Sequence, residues 1–153
     1  MILAKDRMKS PDTGFAKTFL RQMEDVLGAC VEKGIKVVVN AGGLNPSGLA
    51  GELEQMISRL GIRAKVAYID GDDLLPRLPE IQAQGVELRH LDKGMPLAEL
   101  KGQVVTANAY LGAWGIVEAL GRGADVVICP RVTDAALAIG PAAIWMSVSG
   151  DAV

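Results

Sequence analysis

Residues that usually mark a catalytic or metal site are scarce in this sequence. Among 153 residues there are one histidine and two cysteines, and aromatic residues make up 4%. Two cysteines in apolar surroundings, Cys30 and Cys129, do not form a disulfide framework, and we expect both to be buried thiols. The only histidine, His90, is expected at the surface. The composition therefore excludes a disulfide-rich secreted domain and does not favour a Cys/His nucleophile.

Basic residues are not in excess, and no apolar run is long. Lysine and arginine number 16 against 18 aspartates and glutamates, giving a net charge of −2. Because the basic residues are scattered singly, we expect no nucleic-acid partner. No apolar run approaches the ~20 residues of a transmembrane helix, and residues 1–7 lack the apolar region of a signal peptide. We therefore expect no membrane partner and a cytoplasmic location.

Familiar cofactor and hydrolase motifs are also missing. No G-x-G-x-x-G follows a strand pattern, and neither a P-loop sequence nor G-x-S-x-G is present. The sequence supports neither a dinucleotide nor a P-loop mechanism. It leaves the cofactor, the nucleophile and the reaction type unknown.

The positive signal is an alternation of helix and strand patterns. Half of the residues are hydrophobic, and the mean hydropathy is +0.26. Apolar residues at helical spacing predict helices from Phe15 to Gly34, at 49–61 and at 109–121. Near-continuous apolar runs predict strands at 36–40, 64–69, 104–107 and 125–129, with a brief edge strand at 86–91.

Strands separated by helices predict an α/β fold with a mostly parallel sheet and helices on both faces. The layering is Rossmann-like without the dinucleotide fingerprint. We expect one α/β domain over residues 1–145 and an irregular tail over 146–153. Thr133 is expected to cap the last helix, which Gly140 and Pro141 should interrupt.

The junction after the first predicted strand is the most distinctive stretch. Gly42 and Gly43 allow positive φ and a close backbone approach to a substrate, and Asn45 can cap a helix that Pro46 begins. The free N–H groups of such a helix start favour anions such as carboxylate. The alternative is that the glycines and the cap only form the turn.

Polar residues follow the other predicted strands as well, and parallel sheets bind ligands beyond the carboxyl ends of their strands. Amides and an arginine suit a carbonyl or carboxylate ligand. The predicted ligand-binding residues are Asn40, Gly42, Gly43, Asn45, Asn108, Arg131 and Thr133. The candidate catalytic groups are Asp70, Asp134 and Tyr110.

Three aspartates follow the second predicted strand. Asp72 is expected to cap a short helix, because aspartate commonly opens helices. The alternative is that Asp70, Asp72 and Asp73 together hold a hard cation such as Mg²⁺, which would make the chain a magnesium-dependent enzyme.

Two stretches read together resemble a known family. Val-Val-Asn-Ala-Gly-Gly-Leu-Asn-Pro at 38–46 and Thr-Ala-Asn-Ala-Tyr-Leu-Gly-Ala at 106–113, with 70–75, 123–128 and 130–138, resemble the acyclic terpene utilization (AtuA-type) family. The resemblance runs to about Trp145. It implies a role in bacterial breakdown of citronellol- and geraniol-type acids through coenzyme A thioesters. The expected partner is a small-molecule acid or acyl-CoA, and the expected enzyme, if there is one, is of lyase or hydratase type.

Family proteins are several times longer, with segments before Met1 and after Trp145, so the sequence resembles a fragment. A non-catalytic truncated subunit or partner-binding module therefore remains open as an alternative to a ligand-binding enzyme. A homo-oligomer or the missing family segments are further candidate partners. An acyl-CoA ligand also calls for a basic patch, which the sequence does not show.

Overall fold

The computed structural model describes residues 2–10 and 12–148, with the side chain of Val148 left aside. Short strands alternate with helices along most of this chain. Two single-turn 3₁₀ helices, Leu75–Arg77 and Leu97–Glu99, lie between the larger elements. The helices and strands are α1 (Ile2–Lys9), α2 (Lys17–Glu32), β1 (Val37–Val39), α3 (Pro46–Leu60), β2 (Val66–Tyr68), α4 (Leu78–Ala83), α5 (Trp114–Gly121), β3 (Val126–Ile128) and α6 (Ala136–Val148).

The three strands form one parallel sheet in the order β1-β3-β2. Val126 of β3 pairs with Val37 of β1 on one side and with Val66 of β2 on the other. All three residues of β3 are fully buried, as expected for the central strand of a parallel sheet covered on both faces. The predicted parallel α/β fold is confirmed.

One face of the sheet packs against α2 and α3. Val126 and Ile128 of β3 project into this cluster, where Leu27 of α2 and Leu53 of α3 are fully buried. Burying each such side chain contributes roughly 1.5–3 kcal/mol. This cluster fixes the position of α3, and therefore of the loop that joins it to β1.

The opposite face of the sheet packs against α5 and α6. Val127 and Cys129 project into this second cluster, because alternate residues of a strand point to opposite faces. Gly140 lets α6 approach α5, since a Cβ atom there would lie 2.5 Å from the Cγ2 atom of Ile116. Helices therefore cover both faces of the sheet, as predicted.

The last helix departs from its prediction at both ends. It begins at Ala136, two residues beyond the start at Asp134 that a cap at Thr133 would give, and it continues through Pro141 to Val148. Proline removes one hydrogen bond of the helix, but the apolar contact with α5 holds the following turns in place. The expected break at Gly140 and Pro141 is wrong, and helix extends over 146–148; residues 149–153 lie outside the described part.

Two predicted strands are not formed. Residues 104–107 make no strand in the described chain, and 86–91 contributes only a single bridge, between Arg89 and Pro96. The sheet ends at β1 and β2, so the apolar run at 104–107 has no strand partner. Residues 107–111 instead cross the carboxyl edge of the sheet, where they build part of the candidate site.

Candidate functional site

A groove of about 1010 Å³ lies beyond the carboxyl ends of β1 and β3. Small-molecule sites usually measure roughly 300–1,000 Å³, so the groove is large enough for a ligand. A second cavity of about 220 Å³ adjoins it. The groove is lined by Ile2, Leu3, Ala4, Asn40, Gly43, Leu44, Val105, Thr106, Asn108, Tyr110, Pro130, Arg131, Val132 and Asp134.

Helix α1 forms one wall of the groove, although none of its residues is buried. Its attachment to the rest of the chain includes an ion pair between Arg7 Nη1 and Asp73 Oδ2, which are 3.0 Å apart. Leu3 lies against Gly43. The helix is therefore held by few contacts compared with α2 and α3.

The junction between β1 and α3 forms as its sequence predicts. The Asn45 side-chain oxygen accepts the Gly48 N–H at 2.9 Å, Pro46 begins the helix, and Gly61 ends it in the left-handed conformation. The prediction that Asn45 caps the helix is confirmed.

The two glycines of this junction pack closely against the protein itself. Gly43 has a positive φ of 55°, whereas Gly42 is not among the glycines with positive φ. A Cβ atom on Gly42 would lie 2.7 Å from the Cys129 carbonyl oxygen, and one on Gly43 would lie 2.7 Å from the Gly14 carbonyl oxygen. The glycines thus permit close contact between segments of backbone.

A buried carboxylate organises the other side of the groove. Asp72 is only 4% exposed, and its Oδ2 atom accepts the Asn108 Nδ2–H at 2.8 Å and the Arg131 backbone N–H at 3.3 Å. The Asp72 carbonyl also accepts the Ala109 N–H at 2.8 Å. The Leu111 N–H donates to the Arg131 carbonyl at 3.0 Å. Asp72 thereby joins the loops after β2 and β3 through residues 107–111.

The expected cap at Asp72 is therefore wrong. The short 3₁₀ helix begins after Leu74, which makes no side-chain cap, and the Asp73 Oδ1 atom accepts the Leu75 N–H at 3.1 Å. The three aspartates also have different surroundings: Asp70 is exposed, Asp72 bonds to Asn108, and Asp73 bonds to Arg7. No group of three or more His, Cys, Asp or Glu side chains in the described residues could hold a metal ion. The geometry does not support the magnesium alternative.

Arg131 presents its guanidinium group at the groove. Its Nη2 atom donates a hydrogen bond to the Tyr110 hydroxyl at 2.6 Å, and its Cζ atom lies 4.8 Å from the centre of the tyrosine ring. In the part of the chain that the structure describes, Arg131 forms no ion pair. A positive charge without a carboxylate partner therefore faces the groove.

The groove brings together some of the predicted site residues and leaves out others. Those on its wall are Asn40, Gly43, Asn108 and Arg131, with the candidate catalytic groups Tyr110 and Asp134. Those outside its lining are Gly42, Asn45, Asp70 and Thr133. Sequence reasoning missed the wall formed by α1, as well as Val105, Thr106 and the supporting role of Asp72. Because 104–107 was predicted as a strand, only Asn108 at its end was expected to face a ligand.

Cys129 is fully buried below the groove. Burial raises the pKa of its thiol to about 12, so the thiol stays protonated at neutral pH and cannot act as a nucleophile. Cys30 is only partly buried. His90 is on an exposed loop, where its Nδ1 atom accepts the Asp92 backbone N–H at 3.1 Å.

The parallel sheet, covered by helices and bearing a polar groove beyond its strand ends, defines an α/β protein. The model for acyclic terpene utilisation family protein AtuA matches residues 1–151. The chain therefore belongs to the AtuA family, as its resemblance predicted, and the family name points to acyclic terpene utilisation. No curated protein and no solved structure matches the chain. No helix within 2–10 or 12–148 is long and apolar enough to cross a membrane.

Proposed function

We propose that this chain binds an acyclic terpenoid acid or its coenzyme A thioester in the groove, in the breakdown of such compounds. The observation that carries the proposal is the exposed Arg131 guanidinium, which Tyr110 orients and no described carboxylate neutralises. Arginine can donate two parallel hydrogen bonds to a carboxylate. The Arg131 guanidinium is already held on one side by its hydrogen bond to the Tyr110 hydroxyl.

Tyr110 adds a second donor to the same place. Its hydroxyl oxygen accepts a hydrogen bond from Arg131, so its own proton remains available for a ligand oxygen. Two donors that meet in this way can bind a carboxylate or the carbonyl of an acyl group.

Two asparagines extend the polar wall. Asn40 is exposed, and its side chain bonds to no other described residue. The Asn108 amide nitrogen is held by Asp72 at 2.8 Å, so this side chain is fixed at the groove. Asn40 can therefore donate to a ligand oxygen, while Asn108 gives the wall a rigid polar group.

Apolar side chains form the remaining walls and suit a branched hydrocarbon chain. They belong to α1, to the loop that follows Asn40, to the segment that precedes Asn108 and to the residues on either side of Arg131. Burial of such a chain would contribute roughly 25 cal/mol per Å² of apolar surface. The apolar lining residues are Ile2, Leu3, Ala4, Leu44, Val105, Pro130 and Val132.

Isothermal titration with C10 terpenoid acids and their CoA esters tests the proposal. We expect saturable binding, and Arg131→Gln should weaken it roughly ten- to hundredfold, because hydrogen bonds to charged groups contribute about 1.5–3 kcal/mol. The matched control is Arg63→Gln, which removes the same charge from an exposed residue before β2, at the opposite edge of the sheet. No heat with any of these compounds on folded protein, or an equal loss in Arg63→Gln, would contradict the proposal.

A further inference from the structure

We infer that the groove binds its terpenoid ligand as the free carboxylate and not as the coenzyme A thioester. The inference rests on the proposed function and names the chemical form of the ligand at the same site. Its basis is the number and the placement of charged side chains around the groove.

Among the described residues, the groove offers a ligand one cation, the Arg131 guanidinium. The charged residues in the described part of its lining are Arg131 and Asp134. The adjoining cavity adds Arg7 and Asp73, which neutralise each other in an ion pair of 3.0 Å. A single unpaired guanidinium matches the single negative charge of a carboxylate.

A coenzyme A thioester would need a different distribution of charge. Its acyl carbonyl is neutral, whereas its phosphate groups carry several negative charges and usually pair with lysine or arginine. The two lysines of α1, Lys5 and Lys9, line neither cavity. Asp134, which also lines the groove, is exposed; it would repel any anion, and the more highly charged phosphates of coenzyme A more strongly than a carboxylate with one negative charge.

The donor geometry favours the same form. Arg131 and the Tyr110 hydroxyl present donors side by side, with the Arg131 Nη2 atom 2.6 Å from the tyrosine oxygen. A carboxylate has two equivalent oxygens that can accept from both groups, whereas a thioester has one carbonyl oxygen. Replacing one oxygen by sulfur would leave one donor without a strong acceptor.

Four probes test this inference on the full chain at neutral pH: a C10 terpenoid acid, its N-acetylcysteamine thioester, its CoA thioester and CoA alone. The N-acetylcysteamine thioester has the same acyl group without phosphates, so it separates the effect of the carbonyl from that of the phosphates. We expect the acid to bind at least about tenfold more tightly than either thioester. CoA alone should not bind.

Three variants connect the preference to the named groups. Arg131→Gln should reduce the acid-to-thioester ratio to near one, Tyr110→Phe should reduce it partly, and Arg63→Gln should leave it unchanged. Tyr110→Phe removes only a hydroxyl from an exposed side chain, so it reports on the site even if the arginine variant is poorly folded.

The outcomes separate the two hypotheses. A thioester that binds as tightly as the acid overturns the inference and leaves the proposed function standing, as does a preference that persists in Arg131→Gln. If no probe binds to folded protein, the proposed function fails together with the inference.

Discussion

Past Asn40, the glycines that follow β1 pack against the protein's own backbone, whereas the residues after β3 leave the charged Arg131 guanidinium facing the groove. At the first junction, Gly42 donates its N–H to the Cys129 carbonyl at 3.1 Å, and the space around both glycines is filled by protein. At the second junction, a buried carboxylate supports the backbone of Arg131, and the guanidinium remains exposed.

The difference teaches how to separate a tight turn from a binding site at the edge of a sheet. Glycines at a strand end indicate close packing, and here the close partners are Cys129, Pro46 and Gly14. Polar groups that the protein itself does not neutralise indicate capacity for a ligand. By this criterion the stronger candidate is Arg131, and the glycine loop supports the shape of the groove.

The largest effect that we expect comes from Gly42→Ala. The added methyl group would lie 2.7 Å from the Cys129 oxygen and 2.8 Å from the Pro46 Cβ atom, and neither neighbour is the end of a flexible side chain. The free energy of unfolding should fall by about 3 kcal/mol, toward the upper end of the usual overpacking cost. Urea denaturation measures it.

The control for this prediction is Gly51→Ala. Gly51 lies within α3, and a Cβ atom there would have no neighbour within 4 Å. Alanine should raise the stability by up to about 1 kcal/mol, since it is the better helix former. If Gly42→Ala were as stable as the parent protein, the close packing that distinguishes the junction after β1 from the junction after β3 would be contradicted.

We expect a smaller loss of stability for Asp72→Ala, which tests the junction after β3. The substitution removes the acceptor of the Asn108 amide and of the Arg131 N–H, and an unsatisfied buried group costs about 1–3 kcal/mol. We expect a decrease of about 2 kcal/mol in the free energy of unfolding.

Asp70→Ala is the matched control, and because Asp70 is exposed it should change stability by less than about 0.5 kcal/mol. Equal effects of the two substitutions would show that Asp72 does not organise the site.

Short-range signals in the sequence predicted the first junction correctly. Asn45, Pro46 and Gly61 act on neighbouring residues, so the start and the end of α3 could be inferred without knowing the rest of the fold. Asn108 and Arg131 each follow an apolar run, and the rule that parallel strands share a carboxyl edge predicts both at that edge. Both residues line the groove, but Asn108 reaches it from a segment that forms no strand.

Long-range partners decided the features that the sequence did not predict. Asp72 is buried because it bonds to Asn108, 36 residues away, and to Arg131, 59 residues away, and nothing local distinguishes it from Asp70 or Asp73. The run at 104–107 has strand propensity, but it pairs with neither edge strand of the sheet, β1 or β2. Pro141 stays within α6 because the contact with α5 outweighs a local preference.

The smallest effect that we expect concerns α1, the helix that forms one wall of the groove. Arg7→Gln removes the ion pair between Arg7 and Asp73. The two side chains are 43% and 30% exposed. Exposed pairs contribute at most about 1 kcal/mol and weaken with salt, so amide hydrogen exchange in α1 should rise by about fivefold or less. High salt should reduce the difference between variant and parent.

Arg59→Gln breaks a comparable exposed pair with Glu24 and should leave exchange in α1 unchanged. If Arg7→Gln increased exchange equally in β3 and in α1, the helix would belong to the core rather than to a separately attached wall.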